Sequence, residues 1–173
     1  MMKKSILVVI DMQNDFIDGA LGSKEAEAIV ADVAREIEDF SGEVIFTRDT
    51  HGDNYLQTQE GKRLPVKHCL KNSDGWQLHP RLQELAKGRT VIDKPTFGSL
   101  TLPQYLKGQG APDTIVLMGL CTDICVISNA MILKAAFPEA EIFVDSRCCA
   151  GTTTENHENA LKAMKMCQIL VLE

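Results

Sequence analysis

Apolar runs rich in β-branched residues alternate with helical patterns along this chain. Residues 6–10, Ile-Leu-Val-Val-Ile, form a continuous apolar run, the mark of a strand buried on both faces of a parallel sheet. Over 24–40 the apolar residues Ile29, Val30, Val33, Ile37 and Phe40 fall on one helical face. Ser41-Gly42 ends that pattern, and 43–47 reads as a second strand. A short helix is expected over 78–86, a third strand over 90–93, and a helix over 102–107 stopped by Gly108 and Gly110. The fourth strand is expected over 114–118, bounded by Gly119, and a helix over 123–137 that Pro138 closes. A fifth strand over 141–144, a helix over 154–166 and a last strand over 168–172 complete the pattern.

This alternation predicts an α/β fold: a three-layer, doubly wound arrangement with a six-stranded parallel sheet and helices on both faces. No repeat, low-complexity tract or linker interrupts the 173 residues, so one domain is expected over 1–173. The irregular stretch 48–77 exceeds ordinary loop lengths and is therefore functional or disordered. It holds Asp49, His51, Glu60, His68 and the only tryptophan, Trp76, which favours function.

Composition narrows the function classes. An apolar fraction of 45% and a charged fraction of 24% are those of an ordinary soluble domain. A net charge of -6 without a Lys/Arg cluster argues against nucleic-acid or anionic-membrane partners. The start, Met1 to Ile10, resembles a leader, but its apolar run is short and ends at Asp11. No stretch reaches membrane-spanning length, so a cytoplasmic location is expected. The six cysteines at 69, 121, 125, 148, 149 and 167 lack CxxC spacing and read as free thiols, one of them available for chemistry.

In open α/β sheets, ligands bind beyond the carboxyl ends of the strands. Asp11, Arg48-Asp49, Lys94, Leu120-Cys121-Thr122 and Asp145-Ser146 follow the predicted strand ends and should share one rim. Cys125, in Gly119-Leu120-Cys121-Thr122-Asp123-Ile124-Cys125, falls in the first turn of a helix, where the dipole favours the thiolate and free N–H groups can bind an oxyanion. A buried core cysteine is an equal alternative. Asp11 could cap a turn or pair with Arg48; beside a cysteine it becomes a general base. Lys94 could be a surface residue, or, extended by Pro95, could reach across the rim. His51 and His68 with Asp49 make a weak metal signal, whereas His79 and His157 read as structural or solvent-facing. Phe16 and Trp76 are either packing anchors or walls for an aromatic substrate.

Taken together, Asp11-Met12-Gln13-Asn14-Asp15-Phe16, Arg48-Asp49-Thr50-His51, Pro65-Val66-Lys67-His68-Cys69, Asp93-Lys94 and Thr122-Asp123-Ile124-Cys125 resemble the nicotinamidase and isochorismatase-like hydrolase family. The resemblance runs from about Ser5 to the end. It implies a catalytic triad of Asp11, Lys94 and Cys125, and a non-proline cis peptide at Leu120-Cys121. It further implies an oxyanion hole from the Cys121 and Cys125 N–H groups, and a substrate pocket including Phe16, Trp76, Leu120 and Cys121.

Nicotinamidases within the family add one divalent metal, here implied at Asp49, His51, Glu60 and His68. Many relatives carry a second histidine where this chain reads Gly52-Asp53-Asn54-Tyr55, and Glu60 is the expected replacement. Zinc is the first choice, with manganese and iron as alternatives. The implied activity is hydrolysis of nicotinamide to nicotinate and ammonia through a Cys125 thioester in NAD salvage, with pyrazinamide also accepted. The alternative is a metal-independent cysteine amidohydrolase acting on a carbamoyl or ureido compound. A homo-oligomer is compatible with the sequence.

Overall fold

A computed structural model describes residues 3–173; Met1 and Met2, at the head of the leader-like start, lie outside the described residues. Six strands form one all-parallel sheet: β1 (Ser5–Ile10), β2 (Glu43–Asp49), β3 (Thr90–Lys94), β4 (Thr114–Leu120), β5 (Glu141–Ala150) and β6 (Leu170–Leu172), in the order β3-β2-β1-β4-β5-β6. Among the described residues seven α-helices surround it: α1 (Asn14–Ile17), α2 (Lys24–Asp39), α3 (Gln59–Arg63), α4 (Pro80–Ala86), α5 (Thr101–Gly108), α6 (Ile127–Ala136) and α7 (Thr154–Met166). The chain moves outward from β1 to β3, then crosses back to β4 and outward to β6. Right-handed crossovers in opposite directions put helices on opposite faces. Accordingly α2 packs with α4, while α6 packs against both α5 and α7. Among the described residues, no helix is long and apolar enough to cross a membrane.

The expected architecture is therefore present, and its core follows from the patterns that predicted it. All five residues of the Ile6 to Ile10 run are buried, as the central strand of a sheet covered on both faces requires. Each such side chain contributes about 1.5–3 kcal/mol when fully buried. α2 starts at Ser23, whose side chain accepts from the Ala26 N–H, and buries Ile29, Val30, Val33 and Ile37. Phe40 falls one residue beyond the helix, in extended conformation, and only packs partly against the core.

Four local expectations are corrected. Gly119 does not end β4 but lies within it, at φ 120°, and a Cβ there would clash with the Ile10 carbonyl oxygen. The predicted helix over 123–137 divides into a π-helical turn, Thr122–Val126, followed by α6. β5 continues to Ala150, because Asp145 is buried and accepts from the backbone and guanidinium of Arg147, so a polar stretch stays in the sheet. Gln168, at φ 62°, stands outside β6 rather than starting it.

The 48–77 stretch is organised. Isolated bridges join His51 to Leu70 and Gln13 to Leu78, and a 3-10 turn (Tyr55–Gln57) and α3 lie between. The functional face is set by the sheet order: it reverses between β1 and β4, and Asp11 leaves β1 there at φ 48°.

Replacing Gly119 with Ala should push β4 away from β1 at this reversal point. A left-handed backbone position and a backbone clash together should cost about 3 kcal/mol or more, read as a lower urea midpoint with little change in slope.

Candidate active site

The ends of β1, β2 and β3 converge on one buried ammonium. Lys94, the last residue of β3, is only 1% exposed. Its Nζ lies 2.6 Å from Asp11 Oδ2 and 3.3 Å from Asp49 Oδ1, donates to the Thr96 carbonyl at 2.9 Å, and reaches Cys125 Sγ at 3.6 Å. Asp11 Oδ1 accepts from the Thr47 hydroxyl at 2.6 Å. The surface-lysine and Arg48-partner alternatives both fall away: Arg48 pairs with Asp93 at 2.8 Å on the outside.

Burial opposes charge on Lys94, but Asp11, Cys125 and Asp49 outweigh it and raise its pKa, so it remains a cation. Burial raises the Asp11 pKa, with Asp49 adding to that and Lys94 opposing it. For Cys125 burial is again the largest cause; with Asp11 it holds the thiol well above its ordinary range despite Lys94. The expectation that the helix dipole lowers this pKa is corrected, because burial outweighs it. Desolvation of the buried sulfur opposes the effect of the helix turn, so a neighbouring base is needed to favour the thiolate.

Cys125 is presented by the π-helical turn that follows the cis Leu120-Cys121 peptide. Asn129, one turn on and fully buried, clamps that turn: its Nδ2 donates to the Cys125 and Phe97 carbonyls, and its Oδ1 accepts from the Ser99 N–H at 2.9 Å. The opening of α6 is thereby tied to the segment just past Lys94. Thr122 Oγ1 pairs with His157 Nδ1 at 2.8 Å behind the turn, and His79 accepts from the Arg81 N–H at the start of α4.

The second cluster abuts the first. Ligand atoms of Asp49, His51, Glu60 and His68 all lie within 4.8 Å of one another. His51 Nε2 is 2.8 Å from Asp49 Oδ2 and 3.4 Å from Glu60 Oε1; His68 Nε2 is 3.6 and 3.8 Å from the same oxygens. Two features suit these groups to a cation. His51 Nε2 is buried yet makes no hydrogen bond. His68 Nδ1 faces the Val66 carbonyl at 2.9 Å, so its proton belongs there and the Nε2 lone pair points to the cluster. Two imidazoles and two carboxylates can hold a divalent ion. Burial lowers the basicity of His51, but Asp49 and Glu60 more than reverse this and raise its pKa to about 9. Asp49 is held low against the effect of burial by His51, His68 and Lys94.

A largely apolar cavity of about 390 Å³ opens over both clusters. Phe16, Leu120, Cys121 and Cys125 line it, together with Asp49, Glu60 and His68. Trp76 is not among the lining residues: its ring lies under the Arg48 guanidinium, 3.6 Å from the centroid, and its Nε1 donates to Thr50 Oγ1. Stacking and that hydrogen bond hold it against Arg48 and Thr50, so it anchors the loop. Leu21, Leu64, Phe97 and Ile124 line the cavity instead. Leu64 and Phe97, 39% and 41% exposed, are wide-spaced in sequence and carry no periodic signal that would have marked them.

Lys94→Met should expose the electrostatic dependence of this site. Two buried carboxylates would lose their shared cation, costing about 3–5 kcal/mol, measured by denaturant unfolding of the metal-free protein.

Residues 5–172 match the isochorismatase domain family. A nicotinamidase of Escherichia coli is 30% identical over 194 aligned positions, spanning 92% of this chain and 89% of that protein. A nicotinamidase/pyrazinamidase of Mycobacterium tuberculosis is 25% identical, spanning 94% and 95%. The crystal structure of a pyrazinamidase of Pyrococcus horikoshii in complex with zinc superposes with a TM-score of 0.85 at 25% identity, covering 98% of this chain and 99% of that one. The six-stranded sheet and a match over nearly the whole chain place this protein in the isochorismatase domain family.

Proposed function

We propose that this protein is a nicotinamidase, hydrolysing nicotinamide to nicotinate and ammonia in NAD salvage. The observation that carries the reading is Asp49: one carboxylate oxygen faces Lys94 and the other faces His51 and His68. A nucleophile site and a cation site are thereby set side by side beneath one cavity. Nicotinamide has the matching pair of groups, a carboxamide and a ring nitrogen across the same ring. The E. coli and M. tuberculosis relatives named above support the substrate.

In the proposed mechanism Asp11 takes the Cys125 proton, and burial raises its pKa, which makes it a stronger base than an exposed carboxylate. The sulfur attacks the carboxamide carbon while Lys94 stays charged beside Asp11 and Cys125. The oxyanion is received by the Cys121 and Cys125 N–H groups. Asp11 returns its proton to the departing nitrogen, and ammonia leaves a thioester on Cys125. Asp11 then accepts a proton from water as it attacks the thioester; nicotinate is released and Asp11 reprotonates the sulfur.

Asp49, His51, Glu60 and His68 would hold one divalent ion, zinc first among the candidates, which supplies an anchor for the ring nitrogen. Phe16 flanks the ring, and the apolar walls exclude water from the reacting carbon. The whole chain, 1–173, acts as one domain on a small amide, and a cytoplasmic setting fits a salvage reaction. A carbamoyl or ureido substrate would leave the four-ligand cluster without a purpose, which favours the nicotinamide reading.

Purified protein should release ammonia from nicotinamide and pyrazinamide only when a divalent ion is present, and Cys125→Ala should lower kcat on the order of 10⁴-fold or more. Benzamide, which lacks the ring nitrogen, should gain little from the ion. Folded, metal-loaded protein that releases no ammonia from either heteroaromatic amide would overturn the assignment. Hydroxylamine in the assay should divert part of the product to the hydroxamate; its absence in the presence of active turnover would count against the thioester.

A further inference from the structure

Gln13 touches neither the nucleophile nor the cation ligands' side chains, yet it is fully buried and uses its entire side-chain amide on neighbouring backbone. Its Oε1 accepts from the Asp49 N–H at 2.7 Å. Its Nε2 donates to the Asp49 carbonyl at 2.8 Å and to the Trp76 carbonyl at 2.9 Å. The reason for this clamp lies in the sheet. β1 and β2 pair in register from Ile6 with Glu43 to Val9 with Phe46. The chain then turns out of the sheet at Asp11, whose N–H makes the last contact, with the Thr47 carbonyl at 3.3 Å. Beyond it, the Asp49 N–H and carbonyl face the side that β1 has vacated. On the opposite side β2 remains paired: Asp49 stands in register with Lys94, and the Thr50 N–H donates to the Lys94 carbonyl.

In a parallel sheet, one residue offers its N–H and carbonyl to the same neighbouring strand. A primary amide presents both complementary groups, so the Gln13 side chain completes the ladder where the β1 backbone no longer can. No other side-chain type of that length offers an acceptor and two donors without charge. We propose that Gln13 is a positioning residue that pins the backbone of Asp49, and so holds one carboxylate in register with Lys94 on one side and with the His51, Glu60 and His68 cation site on the other. The tie to the Trp76 carbonyl fixes the far end of the 48–77 loop in the same step, while Asp15 secures its middle by accepting from the Cys69 N–H at 2.7 Å. Gln13 stands in the same turn as Asp11, so one short segment supplies both the base and the clamp.

This inference rests on reading Asp49 as a cation ligand, and its first readout needs no substrate. Gln13→Met keeps the volume and leaves the Asp49 N–H and carbonyl without partners. Zinc is the probe, titrated in competition with a chromogenic chelator. At a temperature where the variant is folded by circular dichroism, zinc affinity should fall at least tenfold, and kcat for nicotinamide at saturating zinc should also fall at least tenfold. Gln13→Glu is the second variant should Gln13→Met not fold: it can still accept from the Asp49 N–H but cannot donate to both carbonyls, and it too should bind zinc more weakly. A lower melting temperature with zinc affinity and kcat as in the parent protein would make Gln13 merely structural and overturn the proposal. A protein that binds zinc in this Gln13-dependent manner but ignores nicotinamide would sink the substrate assignment alone.

Discussion

A single ammonium buried at the end of β3 has three anionic or acidic neighbours, Asp11, Asp49 and Cys125, and no contact with solvent through its side chain. Inside a protein such a charge is tolerable only when its partners are held at hydrogen-bond distance, and the partners are tolerable only because the charge is there. The rest of the functional face can be read as the means of keeping these groups together. Parallel strands deliver Asp11, Asp49 and Lys94 to one edge of the sheet. The reversal of strand order between β1 and β4 opens the crevice in which Cys125 faces them. Gly119 permits β4 to run close against the Ile10 carbonyl at that point.

The same constraint links the two halves of the site. Asp49 shares its carboxylate between Lys94 and the imidazoles, so the position of the ammonium and the position of the cation site are not independent. His68 is in turn oriented by the Val66 carbonyl, and His51 packs against the Tyr55 and His68 rings. These contacts come from a loop with little regular structure. It keeps its shape through bridges at His51 and Gln13, through the Asp15 carboxylate, and through the stack of Arg48 on Trp76. A substrate that engages both halves at once is oriented by the protein before any bond is broken, which is where proximity contributes most to rate.

Much of this was legible in the chain alone. Continuous apolar strands between amphipathic helices implied a parallel sheet with two covered faces, because only burial on both sides rewards that pattern. The rule that sites gather at strand carboxyl ends brought Asp11, Asp49, Lys94 and the Cys121–Cys125 region into one neighbourhood before any distance was known. Where the reading missed, a tertiary contact overrode a local signal. Asp145 looked like the end of a strand, but its bond to Arg147 keeps the polar stretch in the sheet. Gly119 looked like a stop, but it serves close approach. Trp76 looked like a pocket wall because it is aromatic and lies in the 48–77 loop, yet its ring stacks on the Arg48 guanidinium.

The sequence by itself determined the fold class, the strand-end location of the polar residues and the family to which the motifs belong, since periodicity and motif spacing are properties of the chain. Only the tertiary structure decided what those residues do to one another. That Lys94 is buried, that Asp49 faces two ways, that Gln13 and Asn129 act as clamps and that Leu21, Leu64, Phe97 and Ile124 form the walls depend on segments far apart in the chain meeting in space. Charge, hydrogen bonding and desolvation act over a few ångströms, and no spacing along a chain encodes which distant groups will come within that range.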